Sequence, residues 1–180
     1  VQYVFDYHGQ KAEIKDLRLG VPGRMNVENA TLAITIALEA GMRPEEIREA
    51  LPRFKGVMRR FNIHSEGKVM YIDDYAHHPT EIRATLTAAK NYPHKTLWCA
   101  FQPHTYTRTR AFLKDFASAL SLADKVILAD IYAAREKDPG DISSADLARE
   151  LEKLGKEVHY LRSFDEIEKF ILKNLVNGDL

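Results

Sequence analysis

A single cysteine, Cys99, excludes an internal disulfide in these 180 residues and fits the reducing environment of the cytoplasm. It lies in the apolar run "TLWCAF", which reads as the filling of a buried strand rather than as the setting of a nucleophile. Neither sign of charge is in excess. With 26 Lys+Arg against 26 Asp+Glu, no bulk field recruits nucleic acid or an anionic membrane surface. No apolar run approaches the ~20 residues that a membrane-spanning helix needs. The opening "VQYVFDYHGQ" has neither the basic start nor the apolar stretch of a signal peptide, and its first residue is valine, as expected of a processed or cut fragment. The chain also lacks a G-x-x-x-x-G-K-[S/T] loop to cradle nucleotide phosphates. Internal repeats and low-complexity tracts are missing too.

What is present is the pattern of a globular α/β protein, with 45% hydrophobic and 29% charged residues. Residues 1–19 suggest a hairpin turning at His8-Gly9. A Gly/Pro loop follows, then a helix over 27–40 with Ala30, Ile34, Ala37 and Leu38 on one stripe, and a short helix in "RPEEIREAL". "FKGVMRRFNIHSEGKVMYIDD" returns to extended structure with a turn at Glu66-Gly67. Four strand–helix units then succeed one another: "VMYIDD", "TLWCAF", "KVILADI" and "VHYLRS", each followed by a helix. Continuously apolar strands in that rhythm predict a mostly parallel sheet with helices on both faces, Rossmann-like in layout. The expected division is an incomplete α+β unit over 1–57 and a complete α/β domain over 58–180.

Ligands of open α/β sheets bind beyond the carboxyl ends of the strands. That rule selects three loops, 73–80, 102–109 and 132–143, and these loops hold the unusual polar residues. In "DDYAHHPTE", Asp73 and Asp74 end a strand, where a carboxylate can accept from a ribose diol. His78 or Thr80 is placed to cap the next helix, with Pro79 in its first turn and Glu81 complementing its dipole. Capping leaves Asp73, Asp74, Tyr75 and His77 unexplained. The neighbouring histidines diverge and lack a third ligand at helical spacing, so a metal centre is the weakest reading. "QPHTYTRTR" sets His104, Tyr106, Arg108 and Arg110 at a helix start, a combination that suits an anion. In "DIYAAREKDPGDISS", Arg135, Glu136 and Asp138 surround a Pro-Gly turn. Asn26 and Asn29 stand one helical turn apart, able to read a purine edge or, for Asn26, to cap the helix; Arg59 and Arg60 fall at the expected domain junction.

The stretches "GRMNVENA", "GVMRRF", "DDYAHHPTEI", "FQPHTYTRTR", "LADIYAARE" and "GDISSADL", in that order over roughly residues 20–147, resemble the Mur ligase family, and within it the alanine-adding member. The resemblance implies the end of a central ATPase domain followed by the C-terminal domain. It implies an ATP-dependent ligase that joins L-alanine to UDP-N-acetylmuramate in peptidoglycan precursor synthesis. By analogy Asn26 and Asn29 contact adenine, Arg60 the phosphates and Asp74 the ribose, with Tyr75 and His77 in the same cleft. His104, Tyr106 and Arg108 hold the alanine, chiefly by its carboxylate. The remaining domains of the polypeptide carry the phosphate loop and the Mg²⁺ ligands, so the chain alone is expected to be inactive. Met25, Thr105 and Arg135 depart from the family pattern, which commonly has histidine, arginine and glycine there. Two rival functions are a sibling ligase that recycles preformed wall peptides and a non-catalytic nucleotide- or amino-acid-binding module.

Overall fold

The computed structural model describes residues 3–7, 10–66 and 69–180 and divides into two compact units, Val1–Phe61 and Asn62–Leu180. In the first, β1 (Tyr3–Tyr7) pairs antiparallel with β2 (Gln10–Ile14), Tyr3 opposite Ile14. The turn expected at His8-Gly9 lies outside the described residues. Helix α1 runs over Arg24–Glu39, beginning earlier than its apolar stripe suggested. Its N-cap is Gly23 rather than Asn26, whose amide, already inside the helix, donates back to the Pro22 carbonyl at 2.5 Å. Helix α2 (Pro44–Ala50) starts on proline, and Glu46 reaches back to the Arg43 N–H at 2.8 Å, satisfying a donor the helix leaves open. Ile14, Leu17, Ile34 and Ile47 form this unit's small core, with Tyr3, Ala37, Leu38 and Leu51 against it. Gly20 is dictated by a close backbone approach, because a Cβ there would stand 2.2 Å from the Phe54 carbonyl oxygen.

The second unit contains two sheets. β3 (Asn62–Glu66) and β4 (Val69–Asp73) pair antiparallel; of the turn expected at Glu66-Gly67, Glu66 ends β3 and Gly67 lies outside the described residues. β5 (Trp98–Phe101), β6 (Lys125–Leu128) and β7 (Glu157–Tyr160) form a parallel ladder, Phe101 opposite Leu128 and Leu128 opposite Tyr160. Helices α3 (Pro79–Ala89), α4 (Tyr106–Ala111), α5 (Leu113–Leu120), α6 (Ser144–Lys153) and α7 (Phe164–Asn174) follow the strands. The architecture is α/β, and side chains alternate across the sheet to meet a helix layer on each face. Val126 and Leu128 are fully buried, as are Phe116 and Leu120 of α5 and Leu147 and Leu151 of α6. Ile127 and Ala129 face oppositely and pack with Ile167 of α7, joined by Phe170 and Ile171.

Two details differ from the sequence pattern. The stretch after "TLWCAF" is two helices, broken at Phe112, rather than one running to Leu122. Only three of the four strands share the parallel ladder, since β4 bonds to β3 instead. An apolar strand reads alike whether its neighbour is parallel or antiparallel, so composition did not distinguish the two.

Candidate functional site

The loops after β4, β5 and β6 meet at the carboxyl ends of their strands. The loop after β4 is shaped by Asp74. Its Oδ1 accepts from the Ala76 N–H at 2.8 Å and its Oδ2 from the Thr85 hydroxyl of α3 at 2.9 Å. The carboxylate expected to meet a ribose is thus already engaged in closing a turn, and it is half-buried. His78 is the N-cap of α3, its Nδ1 accepting from the Thr80 N–H at 3.3 Å; Pro79 is the first helical residue. Glu81 accepts from the backbone N–H groups of His77 and His78 at 3.0 and 3.1 Å. Burial pushes the Glu81 carboxyl up, but those N–H groups and the nearby imidazoles outweigh it and hold it below the ordinary value of 4.5. The His77 Nδ1–H donates to the Tyr75 carbonyl at 2.9 Å, which sets the orientation of the ring.

The second and third loops are joined by backbone. His104 and Tyr132 form a parallel bridge, with Thr105 N–H donating to Tyr132 C=O at 2.9 Å and Tyr132 N–H to Pro103 C=O at 2.8 Å. The ladder of β5 and β6 is thereby extended past its last regular pair and carries His104 outward on a rigid strut. The ring centroids then form a row: Tyr75 to His77 at 5.2 Å, His77 to His104 at 6.1 Å, His104 to Tyr132 at 5.5 Å. Arg108, one turn into α4, brings Nη1 to 3.4 Å from His104 Nδ1. Between them Thr105 sits at φ 67, ψ 145, an outlying conformation for a β-branched residue. Such strain persists only where the surroundings enforce it, and it clusters at functional sites. Here the bridge on one side and the Thr109 hydroxyl on the Thr105 carbonyl, 2.7 Å, enforce it.

The third loop closes on the second. Glu136 accepts from the Thr107 N–H at 2.9 Å and from its hydroxyl, and these two bonds hold its carboxyl below the usual range. Arg110 pairs with Asp141. The backbone donors expected to receive an anion at the start of α4 are therefore taken, since Thr107 N–H goes to Glu136 and Arg108 N–H faces the Thr105 hydroxyl oxygen at 3.4 Å. The groups here whose chemistry suits an anion are the Arg108 guanidinium and the His104 ring beside it. Desolvation, followed by Asp138, Asp130 and Glu136, raises the Tyr106 phenol. Arg135 is exposed. Tyr132 was not singled out in the sequence, though it lies in a selected loop; its one signal is an aromatic residue directly beyond a strand.

In the first unit Asn26 and Asn29 occupy the first turns of α1, Asn29 exposed, and Arg60 is exposed in the segment before Asn62. Among the described residues no three His, Cys, Asp or Glu side chains are grouped to hold a metal ion.

Residues 59–180 match the family described as Mur ligase, glutamate ligase domain, which is well over half of the chain. The chain belongs to the Mur ligase family. A UDP-N-acetylmuramate–L-alanine ligase from Lachnoclostridium phytofermentans is 51% identical over 177 residues, 98% of this chain and 38% of that protein. The crystal structure of the UDP-N-acetylmuramate-alanine ligase from Thermotoga maritima aligns with TM-score 0.72 at 32% identity, over 93% of this chain and 35% of that one. A murein peptide ligase from Psychrobacter arcticus gives TM-score 0.70 at 25% identity, over 99% of this chain and 37% of that one. The two ligase structures differ little in their overlap with this chain. This Mur ligase chain spans about 38% of the length of the curated relative it matches.

Proposed function

We propose that this chain supplies the adenosine- and amino-acid-recognition elements of an ATP-dependent cytoplasmic ligase joining L-alanine to UDP-N-acetylmuramate. The observation that carries the proposal is the convergence of His77, His104, Arg108 and Tyr132 at the strand ends of a chain 51% identical to such a ligase. The residue assignments of the sequence reading stand as part of it: Asn26 and Asn29 for adenine, Arg60 for phosphate, Asp74, Tyr75 and His77 around the ribose, and His104, Tyr106 and Arg108 for alanine.

Amide formation from a carboxylate requires activation, which ATP supplies as an acyl phosphate, followed by attack of the alanine amine. The residues of this chain orient the nucleophile. A guanidinium fork beside an imidazole fixes the amino-acid carboxylate and so the direction of its amine, replacing a diffusive encounter by a positioned one. Mg²⁺ neutralises phosphate charge in such chemistry, and in this reading its ligands belong to the remaining domains of the polypeptide.

Steady-state kinetics of Arg108→Lys in the full-length enzyme test this reading. Lysine keeps the charge and loses the planar fork. KM should rise by similar factors for alanine, serine and glycine, which share the carboxylate, with the ATP KM nearly unchanged. Unaltered KM values for all three would place the carboxylate elsewhere.

A further inference from the structure

Helix α4, which carries Arg108, is too short to set its own direction. It has six residues, breaks at Phe112, and has no acid in its first turn. Isolated helices below ~12–15 residues are marginal in water, so contacts from elsewhere fix this one. The direction matters at Arg108, whose Nη1 stands 3.4 Å from His104 Nδ1. That contact attracts only while His104 is neutral and Nδ1 accepts; a protonated ring would repel the guanidinium. The pair does not enforce its own spacing.

The loop after β6 supplies the enforcement. It leaves the sheet through the Tyr132 bridge to His104 and turns back at once, Glu136 N–H donating to Ala133 C=O at 2.9 Å with Ala134 at φ 53. This turn presents the Glu136 carboxylate to the start of α4. Thr107 N–H donates to it at 2.9 Å, and the Thr107 hydroxyl donates as well. The N–H lies in the first turn, where no intrahelical acceptor exists, and the carboxylate brings the negative charge that α4 lacks at that end. The Thr107 hydroxyl first and its N–H second hold the Glu136 carboxyl below 4.5, so it is ionised at neutral pH. Further along α4, Arg110 is paired with Asp141 of the same loop. The contacts close a circuit: Tyr132 fixes His104, Glu136 fixes Thr107, and Arg108 is the residue next to Thr107. Joined to Thr107 rather than to Arg108, the carboxylate leaves the guanidinium turned to His104.

We propose that Glu136 is a positioning residue of the amino-acid site: by gripping Thr107 across the two loops it fixes the first turn of α4, and so the placement of the Arg108 guanidinium beside His104. This role rests on the proposed capture of the amino-acid carboxylate by His104 and Arg108. Glu136 does not touch the amino acid. It acts through α4, and without it the site has to be assembled at each binding event.

Steady-state kinetics of the full-length enzyme test this role, with alanine, serine, glycine and ATP varied in turn and Arg108→Lys run alongside. Glu136→Ala should raise KM about tenfold for all three amino acids and leave the ATP KM within about twofold, a displacement of ~1 Å being able to cost up to ~100-fold. Glu136→Gln, whose amide oxygen still accepts from Thr107 N–H, should recover most of that loss. Thr107→Val should raise the amino-acid KM by less and add little to Glu136→Ala, because both remove the same bond. Equal rises in the amino-acid and ATP KM with a lowered Tm would show a merely structural Glu136 and overturn the role. An amino-acid KM unchanged in Glu136→Ala, beside one raised in Arg108→Lys, also overturns it and leaves carboxylate capture standing. If Arg108→Lys changes nothing, the capture itself fails and the positioning role falls with it. Amide hydrogen exchange reads the grip without turnover: Thr107 N–H should exchange at least about tenfold faster in Glu136→Ala than in the parent, and an unchanged rate overturns the grip.

Discussion

Replacing Asp74 by alanine removes two acceptors at once, the one closing the turn to Ala76 N–H and the one tying that turn to the Thr85 hydroxyl on α3. Hydrogen bonds to a charged group contribute about 1.5–3 kcal/mol each when buried, and a half-buried carboxylate with two of them warrants about 2–3 kcal/mol for the pair. For a unit of this size that corresponds to a Tm lower by roughly 6–15 °C. Thr85→Val separates the two roles of Asp74. It keeps the shape and the carboxylate, removes one hydroxyl donor, and should cost about 1 kcal/mol. The assays are calorimetric melting of the chain and, in the full-length enzyme, the ATP KM. Asp74→Ala should lower Tm and raise the ATP KM about tenfold or more, as expected for a lost charge-assisted bond. Thr85→Val should show a smaller fall in Tm with a lesser change in KM. The reasoning fails if Asp74→Ala leaves Tm within about 2 °C while the ATP KM still rises, because the carboxylate would then serve the nucleotide without holding the turn.

Glu81 gives a pH dependence of fixed sign. Its folded carboxyl lies below the ordinary 4.5, so the stability it contributes is complete above that value and fades as pH falls through the lower, folded one. Glu81→Gln should therefore lower Tm at pH 7, and the gap to the parent should narrow as pH falls below 4.5; a gap that widened on acidification would contradict the assignment. Burial pushes the Cys99 thiol up to about 12. Alkylation of the chain by iodoacetamide at pH 8 should then run roughly three orders of magnitude slower than for a free thiol, and a rate near that of free cysteine would refute it.

The parts of this molecule legible from sequence are those decided locally. "HHPTE" announced the start of α3 because an N-cap, a first-turn proline and a third-position glutamate act within four residues, as His78, Pro79 and Glu81 do. The three loops could be selected together because strand direction, not side-chain detail, decides where a parallel sheet binds. What stayed hidden depends on distant partners. The engagement of Asp74 requires Thr85, and that of Thr107 requires Glu136, 29 residues away. The row His77–His104–Tyr132 exists because a backbone bridge prolongs β5 and β6, and a tyrosine in a loop carries no sign of it. Thr105 at positive φ runs against residue preference altogether. The separation of β4 from the parallel ladder was likewise invisible, because its apolar residues serve either arrangement.

The claim at the centre is that these residues recognise adenosine and alanine for a ligase whose phosphate loop lies in another part of the polypeptide. Phosphate release with ATP, Mg²⁺ and UDP-N-acetylmuramate, followed on adding L-alanine, tests it most directly when the full-length protein and the 180-residue chain are run side by side. The account predicts alanine-dependent release by the full-length protein at an ordinary enzymatic rate, ~1–10³ s⁻¹, and none by the chain. Turnover by the chain alone, or none by the full-length protein, would contradict it.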